Sequence, residues 1–229
     1  VGRTGRILSG AACFALGTTL VTLAWADFRA HWAAAAGDSA ALLLRSGELP
    51  TEEGFRRLLS SREAGSGWSP KAAFDRDRGF AYIALYQQSE DETESARALG
   101  NAESSFFSAV TRSPSNPEGL AMLGYVRNEL DRPEAAAQVL RLGCRLVPYA
   151  PEQSLIRVWT EVSAWDVLTP LDRVCAVRDF KAAMNRDPDR FVEMIAGAGL
   201  GDEAHRAIED DEALLTRFDA GLQALLEQQ

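Results

Sequence analysis

From Ile7 to Trp25 no position carries a charge, and with Ala26 the run reaches about 20 residues, ILSGAACFALGTTLVTLAWA. A helix of that length crosses the ~30 Å hydrocarbon core of a bilayer. Arg3 and Arg6 precede the run and Asp27 comes directly after it. The positive-inside tendency therefore puts residues 1–6 in the cytoplasm and the chain beyond 26 on the other side. Trp25, Phe28 and Trp32 stand where interfacial aromatics are expected, whereas Arg29 falls on the side that rule leaves poor in cations. A cleaved signal peptide is the competing reading, because Ala24-Trp25-Ala26 fits a small-x-small cleavage site. The run is longer than the usual signal-peptide core, and helical patterning continues through DFRAHWAAAA, which favours an anchor. Both readings export the remainder of the chain.

The rest of the chain alternates apolar and polar positions at helical spacing, and no segment has the period-two alternation of a strand. Asp38 is expected to cap a short helix through Leu44, and Thr51 another through Glu63. Ala64-Gly65-Ser66-Gly67 reads as a flexible break closing a juxtamembrane region, 27–68. Ser69-Pro70 and Thr169-Pro170 each combine an N-cap with proline at the first helical position. Beyond Pro188, in a capping region 189–229, short helices are expected at Arg190–Gly197 and Ala204–Ile208. A final amphipathic helix, Asp211–Leu225, lines up Leu214, Phe218, Leu222 and Leu225.

One pattern recurs. Ala102, Phe106, Ala109 and Pro114 are matched by Ala136, Leu140, Gly143 and Pro148, and again by Ala176, Phe180, Ala183 and Pro188. The first two are offset by 136 − 102 = 34 residues and the last two by 176 − 136 = 40. Small residues let two helices approach, the bulky residue fills the groove between them, and proline ends the helix. The middle unit is the most complete, NPEGLAMLGYVRNELDRPEAAAQVLRLGCRLVPYAP: Asn116-Pro117 starts a helix and Leu120, Leu123 and Gly124 line one face. Asp131-Arg132-Pro133 turns the chain into the second helix.

This unit resembles a tetratricopeptide repeat (TPR), whose period is 34 residues. Arg127 departs from the pattern, standing where the family usually has an aromatic. The resemblance implies an all-α fold, TPR-like hairpins over 69–188 stacked as a short α-solenoid, and the apolar run puts one transmembrane helix at 7–26 before it. The resemblance further implies a protein or peptide partner on a concave face built from first helices. Helical phasing puts Met122 or Ala121, Tyr125 and Asn128 away from the packing face. Met122, Tyr125 and Asn128 are the candidate partner-binding residues, with packing of Tyr125 on the neighbouring repeat as the alternative. Trp159 and Trp165 are expected to pack in the core.

Composition narrows the partner. The net charge of −9 argues against nucleic acid, which needs a basic surface. Lys71 and Lys181 are the only lysines, so arginine carries nearly all positive charge, a composition that with the many alanines points to a GC-rich bacterial genome. Cys13 lies inside the apolar run. Aligning the repeats places Cys144 near the end of its helix and Cys175 near the start of the equivalent one, roughly 13 Å apart along the axis. A disulfide needs Cα atoms within about 7 Å, so both are expected to be small buried residues.

Catalytic signatures are not found. His31 and His205 lack metal-ligand spacing and are expected on the surface. Gly197, Gly199 and Gly201 come after a helical pattern and read as a helix-ending turn. Glu90-Asp91-Glu92 has no calcium-loop spacing. Neither a metal nor a cofactor is expected, and no enzymatic activity. The layout of one anchor and a short TPR-like domain resembles accessory proteins of bacterial exopolysaccharide biosynthesis. The expectation is a single-pass inner-membrane scaffold with its C-terminal domain in the periplasm, serving a cell-envelope assembly system. The alternative is a periplasmic glycan-acting enzyme whose carboxylate pair is assembled by the fold.

Overall fold

Helical spacing along the sequence becomes α-helix throughout the computed structural model, and no strand occurs among the described residues, 3–227. Side chains are described from residue 11 onward, so the expected cytoplasmic segment 1–6 lies outside them, as do residues 228 and 229. The chain divides into two compact units, 1–88 and 89–229, with the boundary inside the expected repeat region.

Unit 1 contains α1 (Arg3–Ala34), α2 (Asp38–Ser46), α3 (Glu52–Trp68) and α4 (Ala72–Gln88). The helix α1 runs unbroken through Ala24-Trp25-Ala26, and from residues 11 to 26 its side chains are almost all exposed. Its last turns pack on α3, burying Ala30 and Ala34. The flexible break expected at Gly65-Ser66-Gly67 does not exist: α3 continues through it to Trp68. Gly65 serves close approach instead, since a Cβ there would lie 2.9 Å from the Ala30 carbonyl oxygen and 3.0 Å from the Phe74 ring. Thr51 caps α3 as expected, accepting from the Gly54 N–H (3.2 Å). Ser69 does not start α4. It ends α3, and α4 begins at Ala72.

Asp38 also departs from its expected role, standing first in α2 and making no cap. Its carboxylate is taken by the buried Arg62 of α3 (Nη2 to Oδ1, 2.8 Å). Arg62 donates besides to Asp77 of α4 (Nε, 2.9 Å) and to the Ala34 carbonyl at the end of α1 (Nη1, 2.6 Å). Arg45 of α2 meets the second Asp77 oxygen (2.7 Å). One guanidinium thus joins all four helices and satisfies a carbonyl that a helix end leaves open.

Unit 2 comprises α5 (Glu92–Arg112), α6 (Pro117–Glu129), α7 (Pro133–Leu146), α8 (Ser154–Ser163), α9 (Pro170–Arg186), α10 (Pro188–Gly197), α11 (Gly201–Ile208) and α12 (Glu212–Leu226). The recurring small-bulky-small residues of α5, α7 and α9 are all buried. Phe180, the bulky member of the third set, meets Phe191 edge-on (ring centroids 4.7 Å) and Phe218 (5.6 Å), joining the C-terminal helices to the repeats. The Thr169-Pro170 device forms a full capping box with Asp172. Gly199, at φ +69°, makes the turn between α10 and α11.

The cysteine expectation is overturned. Cys144 of α7 and Cys175 of α9 form a disulfide, with Cα atoms 6.2 Å apart. Aligning the repeats had set Ala136 level with Ala176. In the fold, Arg141 instead forks onto Asp172 (2.6 and 3.0 Å), so α9 sits nine residues out of that register. The 3-10 turn at Trp165–Val167 and the cap at Thr169 start α9 where Cys175 arrives beside Cys144.

Candidate partner-binding site

The candidate residues lie on α6, whose start is set by Asn116: its Oδ1 accepts from the Gly119 N–H (2.8 Å), and Pro117 occupies the first helical position. The helix packs against α5, α7 and α8. Three neighbours bury Leu120, Ala121, Leu123, Gly124 and Val126. Ala121, one of two residues that phasing directed outward, is therefore inside, because the buried arc is wider than one packing face. Met122, Tyr125 and Asn128 remain along a strip at three-residue spacing, each half-buried. Tyr125 has a partner of its own within the protein. The strip can offer a thioether, a phenol and an amide to a docking segment, and none of the three stands fully clear of the surface.

Beside the strip, Arg127 takes the place that an aromatic holds in the TPR pattern. Its guanidinium reaches Glu103 of α5 (3.1 Å) and the Ala135 carbonyl of α7 (3.4 Å), while Arg132 holds the other Glu103 oxygen (3.0 Å). Three helices are tied by charge where ring packing is usual. Asp131, with φ +56°, makes the turn before α7.

Other clusters were not visible in the sequence. Arg157 and Glu161 on α8 and Asp179 on α9 are all buried. Arg157 pairs with Asp179 (2.5 Å). Burial, reinforced by the neighbouring Asp179 charge, holds Glu161 protonated well above the usual carboxylic range. Spaced i, i+4 on α8, Arg157 and Glu161 looked like any helix-face pair, and only the packing of α9 reveals their burial. Two surface clefts of about 370 and 460 Å3 flank α9. In the larger, Asp166 is exposed and paired with Arg206 (3.2 Å). Glu209 and Asp210 line the same cleft.

The residues set aside in the sequence have structural roles. Asp91 caps α5, accepting from the Thr93 and Glu94 N–H groups (2.7 and 3.0 Å), which lowers its pKa. His205 pairs with Asp219 (2.6 Å) and stands edge-on to Phe218. His31 lies 3.8 Å from Asp27 and is mostly exposed. Trp165 is buried with Arg173 over its ring, and Trp159 is half-buried. Among the described residues no group of three His, Cys, Asp or Glu is arranged to hold a metal.

No family model and no curated protein matches the sequence. By structure the chain is similar to a thermophilic TPR protein from Thermus thermophilus, with a TM-score of 0.52 and 17% identity. The alignment covers 97% of this chain and 100% of that one. The protein accordingly has a TPR-like, all-helical repeat fold preceded by one apolar N-terminal helix long enough to cross a membrane.

Proposed function

We propose that this protein is a non-enzymatic scaffold, anchored by α1 in a bacterial inner membrane, whose TPR-like helices bind a protein partner in the periplasm. The observation that carries the reading is the continuity of an unburied apolar helix with a helical-repeat fold. That combination holds a binding surface at a membrane. Export is supported by the Cys144–Cys175 disulfide, since such bonds persist in oxidising compartments. The partner surface includes Met122, Tyr125 and Asn128. The process served is cell-envelope assembly, with polysaccharide biosynthesis or export as the specific proposal, resting on analogy of layout.

A photo-crosslinking residue at Met122 or Asn128, installed in intact cells and read by mass spectrometry, tests this directly. Adducts with glycosyltransferases, a polymerase or a flippase of the envelope are expected. Adducts with haem-maturation or pilus components would replace the polysaccharide assignment. An alkaline phosphatase fused after residue 229 should be active, and a silent fusion would overturn the periplasmic placement.

A further inference from the structure

We propose that unit 1 is itself a membrane-seated collar, with Trp68 of α3 held in the same lipid interfacial layer as Trp25, Phe28 and Trp32 of α1. The inference rests on the anchor reading and deepens it: α3, and not α1 alone, touches lipid.

Three of the five tryptophans of the chain are exposed around the end of the apolar run: Trp25 at 56%, Trp32 at 71% and Trp68 at 47%, with Phe28 at 53%. Exposed indole rings in a cluster are not what a water-facing surface carries. The α1 aromatics form one stripe, Trp25 to Phe28 at 5.8 Å between ring centroids and Phe28 to Trp32 at 6.0 Å. At 1.5 Å per residue the stripe climbs about 10 Å, comparable with the ~5–7 Å layer of headgroups beyond the hydrocarbon. Indole is enriched in that layer because it combines an apolar body with a polar N–H.

Arg29 fixes the level of Trp68. Its guanidinium lies 4.7 Å from the Trp68 ring centroid and 5.9 Å from that of Trp25, bridging the two helices. The cation that breaks the charge rule is thereby explained: its charge is shared between two interfacial rings, at a depth where headgroup phosphates are its further partners. Asp27, the first carboxylate after the run, is not a bare charge either. It pairs with Lys71 and accepts from Ser69 (3.5 Å), and the Lys71 contact lowers its pKa. These bonds join α1 to the segment just after Trp68, while Ala30, Ala34 and Gly65 fit the two helices closely. Burying Trp25 at the interface therefore carries Trp68 to the same surface.

The test uses the full chain labelled with 5-fluorotryptophan, in nanodiscs of phosphatidylcholine and phosphatidylglycerol containing a lipid with a gadolinium-chelated headgroup. The five fluorine resonances are assigned by single Trp→Phe variants, and any one by elimination from the other four. Loss of the Trp25, Trp32 and Trp68 signals, with Trp159 and Trp165 retained, is expected. Loss of Trp25 and Trp32 with Trp68 retained overturns the collar and leaves the anchor standing. Retention of all five signals, or a mature chain whose mass lacks residues 1–26, overturns the anchor reading and the collar with it.

Discussion

The two units solve the same problem, holding helices side by side, by different means. In unit 1 the buried apolar residues are mostly small: Ala30, Ala34, Ala40, Ala41, Ala81 and Ala84 around Phe55, Leu58 and Phe74. Alanine removes little apolar area from water and gives no lateral grip. Orientation is supplied there by the directed bonds of Arg62 to Asp77, Asp38 and the Ala34 carbonyl. In unit 2 one continuous cluster contains Phe180, Phe191, Phe218, Ile195, Ile208 and Met184, and interlocking shape fixes the helices. Unit 2 also uses small residues for close approach and charge ties such as Arg141–Asp172, but adds the large interlocking side chains that unit 1 mostly lacks.

Removing Arg62 tests the comparison most severely. Arg62→Ala removes the shortest contact to one oxygen of the buried Asp77, leaving Arg45 and the more distant Arg76 on the other, and takes the donor from the Ala34 carbonyl, a loss of about 3–5 kcal/mol. Denaturant unfolding followed by hydrogen exchange should place that loss in unit 1. A loss below about 1 kcal/mol would mean that alanine packing suffices. In unit 2 the corresponding lock is covalent. Replacing Cys144 and Cys175 together by serine frees a 31-residue loop in the unfolded chain, about 3–4 kcal/mol in the chain-entropy account. An unchanged melting temperature under reducing conditions would show that the noncovalent contacts, the Arg141–Asp172 fork among them, hold the register of α9 without the disulfide.

Gly65→Ala sharpens the small-residue side of the contrast. The added methyl meets backbone at 2.9 Å, so the expected cost is about 1–3 kcal/mol despite alanine's better helix propensity. A stabilised variant would show that α1 and α3 are not in close contact. The smallest effect is electrostatic and belongs to unit 2. Arg141, and then Thr169, hold the Asp172 carboxyl down at about 2, against 3.8 in the ordinary case. A lowered native pKa gives stability that is present above pH 3.8 and is lost as pH falls toward 2. Urea titrations should therefore show wild type exceeding Asp172→Asn by about 1–2 kcal/mol at pH 7, converging near pH 2.

Much of this was legible in the sequence because it is written in nearest neighbours. The small-bulky-small triplets, the caps at Thr51, Asn116 and Thr169, and the final amphipathic helix depend on residues three or four apart. The same local rules misread Ser69-Pro70, an N-cap signal that ends one helix without starting the next, and Gly65-Ser66-Gly67, a linker by composition. On α6 the exposure pattern was partly legible. Phasing left Met122 or Ala121 facing outward, and only the packing puts Ala121 inside, because spacing along one helix does not say how many neighbours surround it.

Determined by the sequence alone were the apolar span, the all-helical class and the repeat, since each arises from hydrophobic period and helix-breaking residues. Only the tertiary structure decided which charges were buried and which cysteines met. Arg62 and Asp77, Arg157 and Asp179, and Cys144 and Cys175 become partners through the relative register of separate helices. That register is set by one guanidinium in unit 1 and by the start of α9 in unit 2. Neither is periodic, so no pattern along the chain records it.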